Sequence, residues 1–183
     1  MTKVDKILLD NAQQLLEFMD KTADSMLPSE IVDVVKLHSK LAVASSWIPL
    51  PGADFAAGVA SIWGMYVRIN NKIGLPFGEN VMKSIGSGVA TNLAGYVTMS
   101  GVASAFKFIP GIGSVGGALL MSAAQYALTL TSGYVYLRAL KFVAQSKRGN
   151  ISSNDISSAI KTVLSDKATI KEFFNDSKRS YKK

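Results

Sequence analysis

Gly111, Gly113 and Gly116, inside the stretch FIPGIGSVGG at 108–117, spell G-x-G-x-x-G. In a dinucleotide-binding fold such glycines let the backbone close on a pyrophosphate. That use needs a β-strand feeding the turn, a helix after it, and an acidic residue about 20 positions on to hold a ribose. Only the helix is met here. Pro110 removes a backbone donor just before the first glycine, and no Asp or Glu lies between Lys107 and Asp155. The glycines therefore read as an apolar elbow made by Pro110, Gly111 and Gly113, with Gly116 and Gly117 opening a helix to a close neighbour.

Other chemistry is bounded as tightly. The chain has no cysteine and one histidine, His38, which excludes disulfides, thiolate metal sites and a zinc site resting on His38 alone. No nucleophile or ligand stands at a recognisable spacing from His38, so it reads as a core or edge histidine bonded to a neighbour. A P-loop is excluded, because no G-x-x-x-x-G-K-[ST] occurs. Asp54, Glu79 and Arg68 are the acid-base groups near apolar segments besides lysines; Asp54 reads as a helix cap or an ion-pair partner, with Arg68 as the matching cation. No catalytic residue, cofactor or metal is expected.

The elements that must carry these residues are helices. Val4, Ile7, Leu8, Leu15, Met19 and Met26 recur at helical spacing, which predicts an amphipathic helix over about 3–25, within an N-terminal segment 1–28. Pro28 opens a second helix, with Ile31, Val34, Val35, His38, Leu41 and Ala42 on its apolar face. Pro49, Pro51 and Gly52 then forbid continuous helix, in a second Pro-Gly elbow of the same grammar. A helix follows to about Ile73, stopped by Gly74 in the left-handed conformation, and Glu79 favours the start of the next. Near the C-terminus, Ser152 and Asp155 form a capping-box-like start, and a short last helix is expected over about 167–174.

Between these flanks lies a hairpin, 84–137. Ser84 to Phe106 and Phe108 to Leu137 carry no charge, with Lys107 alone between them. About 23 and about 27 helical residues at 1.5 Å rise extend roughly 34 and 40 Å, enough to cross a hydrocarbon core of about 30 Å. Gly113 and Gly117 form the small-xxx-small pattern that packs helices in membranes. Lys83 before the hairpin, with Arg138, Lys141, Lys147 and Arg148 after it, leaves both ends on the cytoplasmic side by the positive-inside bias. A hairpin buried inside a soluble bundle would show the same composition and is the competing expectation.

Net charge is +7, distributed unevenly: residues 1–46 hold five Lys/Arg against seven Asp/Glu, and 146–183 hold nine against four. Lys178, Arg179, Lys182 and Lys183 crowd the basic end, either as a solvated tail or as a contact for anionic lipid. Aromatics are not interleaved with these cations beyond Tyr181, so nucleic acid is not an expected partner.

Ile48-Pro49-x-Pro51-Gly52-x-Asp54, Gly74 before its Pro-Phe turn, and Ile109-Pro110-Gly111-Ile112-Gly113 stand in an order and separation that resembles the YcjF-type domain, a domain of unknown function, over about 29–140. The resemblance implies a bacterial, helical, membrane-associated protein of the inner membrane or its cytoplasmic face, many of whose relatives occur beside or fused to a GTPase domain. Since this chain lacks a P-loop, such a GTPase would act in trans.

The expectation is one all-α domain, a bundle of about six or seven helices around the central apolar hairpin. Residues 29–145 form its family-like core and 146–183 its basic end. The expected function is a non-enzymatic membrane-associated protein, with the hairpin as anchor and the amphipathic helices as docking surface. A pore-former inserting the same hairpin and a soluble interaction domain are the alternatives. The membrane is the expected partner; a GTPase or other cytoplasmic protein, and a further copy of this chain, are the remaining candidates.

Overall fold

The computed structural model describes residues 33–35, 37–39, 41–42, 53–99, 116–146 and 150–181; the side chains of 53–57, 97–99, 116–121 and 179–181 lie outside that description. The described backbone is all-α. Its helices are α1 (Ala53–Ile73), α2 (Glu79–Met99), α3 (Gly116–Ser146), α4 (Ser153–Ser165) and α5 (Lys167–Tyr181). Helical residues at 33–35, 37–39 and 41–42 precede them.

α3 is the axis of the fold, and α1, α2, α4 and α5 all pack on it. Every residue from Ser122 to Leu137 is buried, around the whole circumference of the helix. Amphipathic helices have one apolar stripe, whereas a helix buried on all sides shows none, which is why this stretch carries no charge. Arg138, the first charge, is also the first exposed residue of the run.

The charge-free stretches and the helices do not coincide. α2 starts at Glu79 and ends at Met99; α3 continues through Arg138 and Lys141 to Ser146, so the basic residues expected to flank a span ride on the same helix. No described helix is long and apolar enough to cross a membrane. Gln125, Thr129, Thr131 and Ser132 dilute α3. On α2, Ser84, Gly88, Thr91, Asn92 and Gly95 form an uncharged but exposed outer face, opposite buried Met82, Val89, Ala90 and Leu93. Absence of charge there marks small polar residues rather than an apolar surface.

α1 and α2 form a hairpin. Gly74 takes φ 71°, the left-handed conformation that only glycine adopts without strain, and the Leu75 N–H returns to the Asn70 carbonyl at 3.0 Å. The two helices approach closely at Gly86, where an added Cβ would stand 3.0 Å from the Trp63 Cα.

α4 and α5 form the other arm. Ser152 caps α4 in a complete capping box: its hydroxyl accepts from the Asp155 N–H, and the Asp155 carboxylate accepts from the Ser152 N–H. Asp166 is both an end and a beginning. Its N–H closes α4 on the Val163 carbonyl, and its carboxylate accepts the Thr169 N–H at the start of α5. α5 runs seven residues past the expected stop at Phe174. Phe173, Phe174 and Ser177 are buried there, so the helix continues because its inner face still has a core to cover.

Among the helical residues 33–35, 37–39 and 41–42, Val34, Val35, His38 and Ala42 are buried as the spacing predicts, and Ser39 is buried with them. Leu41 departs from that reading: it is 48% exposed, next to Leu37 at 43%. The buried arc is narrower than the apolar one and centres on Val35, which packs where Gly133 of α3 leaves room.

Candidate functional site

The most connected cluster of buried polar groups lies where α1 meets α3. Ser122, Gln125, Thr129, Ser132 and Tyr136 recur at three- and four-residue steps, one face of α3, and α1 answers with Gly58, Tyr66 and Asn70. Helical periodicity thus sets two polar ladders against each other inside the protein.

At the lower end the ladder is closed. Tyr66 and Tyr136 stack with ring centroids 4.0 Å apart. The Tyr66 hydroxyl donates to the Ser132 carbonyl at 2.9 Å, and Ser132 Oγ donates to the Leu128 carbonyl at 2.8 Å. Tyr136 Oη donates to Asn70 Oδ1 at 2.5 Å, and Asn70 Nδ2 donates to Met82 Sδ at 2.7 Å. Three helices are pinned by one asparagine. Burial pushes both phenols above their ordinary range, further from the phenolate form. These groups donate and accept in fixed directions, so the cluster sets helix register and depth.

At the upper end the ladder is open. Gly58 leaves room for the Gln125 side chain, whose Oε1 would lie 2.2 Å from an added Cβ. The hydroxyls of Ser122 and Thr129 are buried and have no hydrogen-bond partner among the described residues. An unsatisfied buried hydroxyl costs about 1–3 kcal/mol, so this end holds α3 less firmly than the Tyr136 end does. Tyr126, on the same turn, has its phenol raised to about 12 by burial.

His38 borders the seam from the segment 33–42. It is 5% exposed, its ring rests against Gly64, and the Ser61 hydroxyl donates to its backbone carbonyl at 3.0 Å while lying 3.4 Å from Nδ1. This is the satisfied-histidine arrangement expected from the sequence, except that Nε2 has no partner among the described residues. Burial first, and the Arg68 charge second, lower its pKa. The fold therefore disfavours the imidazolium. Below about pH 6.5 the unfolded chain takes up a proton that the folded chain does not, and stability falls with pH. Unfolding followed by circular dichroism between pH 7.5 and 5 should show that loss, and His38→Gln should flatten it; an unchanged slope in the variant would remove His38 as its source.

The other sequence-derived positions separate into three groups. Pro49, Pro51, Gly52, Pro110, Gly111, Gly113, Lys182 and Lys183 lie outside the described residues, as does the whole N-terminal segment 1–28 for which a helix is expected. Asp54 falls in the first turn of α1, Gly117 in the first turn of α3 and Arg179 in α5, with their side chains outside the description. Arg68 is exposed on α1, and Lys178 is half-buried on α5, in a helix rather than a tail. Among the described residues the closest approaches, under 3.0 Å from an added Cβ, are made at Gly58, Gly86 and Gly133. None stands in a G-x-x-x-G pattern across which both glycines touch a neighbour. The signal that could have found Gly133 is its place on the same α3 face as Thr129 and Tyr136.

Over 107 residues the chain is 32% identical to Magnetosome membrane protein 22 of Magnetospirillum gryphiswaldense, a match covering 58% of this chain and 55% of that protein. The chain thus spans about half the length of that relative. No family model matches the chain, and no solved structure does.

Proposed function

We propose that this chain is a non-enzymatic, membrane-associated helical protein whose bundle offers amphipathic helices as a docking surface to a cytoplasmic partner. The observation that carries the membrane reading is the similarity to Magnetosome membrane protein 22. The anchor expected over 84–137 is not carried over to Ser122–Leu137, which protein encloses. The YcjF-type resemblance suggests a GTPase in trans as the partner, at the cytoplasmic face of a bacterial inner membrane.

Expressed alone, the protein should sediment with membranes and be retained there in low salt. Complete recovery in the soluble fraction without detergent would instead favour the helical interaction domain. The pore-forming alternative draws on one specific observation, the buried hydroxyls of Ser122 and Thr129 that have no hydrogen-bond partner among the described residues. It predicts dye release from liposomes; an associated bundle leaves the vesicles intact.

A further inference from the structure

A surface cleft of about 240 Å³ lies where α3 meets the corner between α4 and α5. It is far from the α1–α3 seam in chemistry: it presents one cation, one anion and several hydroxyls at the surface, with an aromatic ledge. Pockets for drug-sized ligands begin at about 300 Å³, so this one suits a charged fragment or headgroup.

Arg138 supplies the cation from α3, and it is pre-positioned. Its guanidinium donates through Nη1 to the Tyr134 hydroxyl one turn back and lies 5.7 Å from the centre of that ring. Tyr134 is fixed in turn by stacking on Phe173, centroids 4.4 Å apart. A guanidinium has five N–H donors, and Tyr134 occupies one of them; by accepting it, the phenol keeps its own hydrogen to donate. Arg138 and Tyr134 together offer the planar fork and hydroxyl that suit phosphate oxygens.

Asp166 supplies the anion from the α4–α5 corner. Hydrogen bonds from the Thr169 side chain and N–H, with a smaller contribution from Arg138, hold its carboxyl below the ordinary range, so it is charged at neutral pH. Asp166 and Arg138 are both exposed and both line the cleft. At its edge Phe142 is 51% exposed, the most exposed large apolar side chain among the described residues.

We propose that this cleft binds a zwitterionic phosphate–ammonium group, the phosphate on Arg138 and the Tyr134 hydroxyl and the ammonium on Asp166. The occupant is a phosphoethanolamine lipid headgroup, because Phe142 sets an exposed apolar ring beside the charges, where acyl chains would begin. The inference rests on the membrane-associated reading and gives it a recognition site.

The test uses the full-length chain. Flotation with phosphatidylcholine vesicles, with and without phosphatidylethanolamine, is run beside NMR titration with free O-phosphoethanolamine. Flotation should rise with phosphatidylethanolamine. Arg138→Gln should weaken binding of both probes by about tenfold or more, the usual effect of losing a charge-assisted hydrogen bond. Asp166→Ser keeps an N-cap for α5 but removes the carboxylate, and it should abolish the preference for ethanolamine over choline. Phe142→Ser should reduce flotation and leave the free headgroup unaffected.

Equal binding by wild type and Arg138→Gln would overturn the site. Binding of the free zwitterion with no ethanolamine dependence in flotation would overturn the lipid assignment. If all variants float equally, membrane association stands without the cleft. If phosphoethanolamine binds but cell fractionation leaves the chain in the supernatant, the cleft stands as a site for a soluble zwitterion, and both its lipid assignment and the membrane reading fall.

Discussion

Gly86→Leu should lower the unfolding free energy by about 3 kcal/mol or more, at the upper end of what overpacking produces. A Cβ at Gly86 would stand 2.9 Å from the Trp63 Cβ, 3.0 Å from its Cα and 3.2 Å from its backbone nitrogen. Two of those atoms are main chain. A flexible side-chain tip could swing aside, but here α1 itself must move, and Ile62, Met65 and Tyr66 beside Trp63 are buried in the core. For a chain of this length, such a loss lowers the melting temperature by roughly 6–12 °C. Gly88, two residues on, is the control: it is exposed and nothing lies within 4 Å of its added Cβ. Gly88→Ala should raise stability by about 0.5–1 kcal/mol through helix propensity alone. Thermal unfolding of both variants reads the contrast, and a mild Gly86→Leu would mean that the α1–α2 contact is not as close as described.

Asn70→Ala should be nearly as severe, at about 2–4 kcal/mol. It removes the acceptor of the Tyr136 hydroxyl and the donor to Met82 Sδ, and it leaves a fully buried phenol with only the more distant sulfur, 3.4 Å away. Tyr136→Phe removes only the hydroxyl and should cost about 1–2 kcal/mol. The double variant should then be less destabilised than the two singles added together, with a coupling of about 1–2 kcal/mol, because both act on the same bond. Urea unfolding of the four proteins measures it. Additive effects would show that Asn70 and Tyr136 matter through packing alone.

Much of the helical grammar was legible in the sequence. Gly74 and Glu79 mark the α1–α2 turn because a left-handed φ and a helix N-terminus each demand a particular residue type. Ser152 and Asp155 mark α4 for the same reason. Local rules are written in local residues. The long-range pairings were not legible. That Gly86 would meet Trp63 and Gly133 would meet Val35 depends on how helices cross, and each glycine looks like any other small residue until its neighbour is placed.

The charge-free run misled for a related reason. Lack of charge signals removal from water on all sides, and a sequence cannot say whether lipid or protein surrounds the helix. Here two details of α3 point to protein: Gln125 and Thr129 sit in its interior face, and burial continues past the exposed Arg138 at Ala139, Leu140 and Val143. The polar seam has a signal in the sequence, Ser122, Gln125, Thr129, Ser132 and Tyr136 at helical spacing, but it was not read as one, and its partner Asn70 lies 66 residues from Tyr136. The cleft at Arg138 was hidden because Arg138 lies on α3 and Asp166 at the α4–α5 corner, far apart in the chain.

The enclosure of α3 is open to direct measurement, because the chain has no cysteine to interfere. Thr131→Cys places a small thiol at a fully buried position of α3, and Phe142→Cys places one at an exposed position of the same helix. With the protein bound to membranes, an aqueous and a lipid-soluble maleimide are applied in parallel. Phe142→Cys should react and Thr131→Cys should resist both reagents until the protein is denatured. Rapid labelling of Thr131→Cys by the lipid-soluble reagent would place α3 in the bilayer and contradict its enclosure by protein.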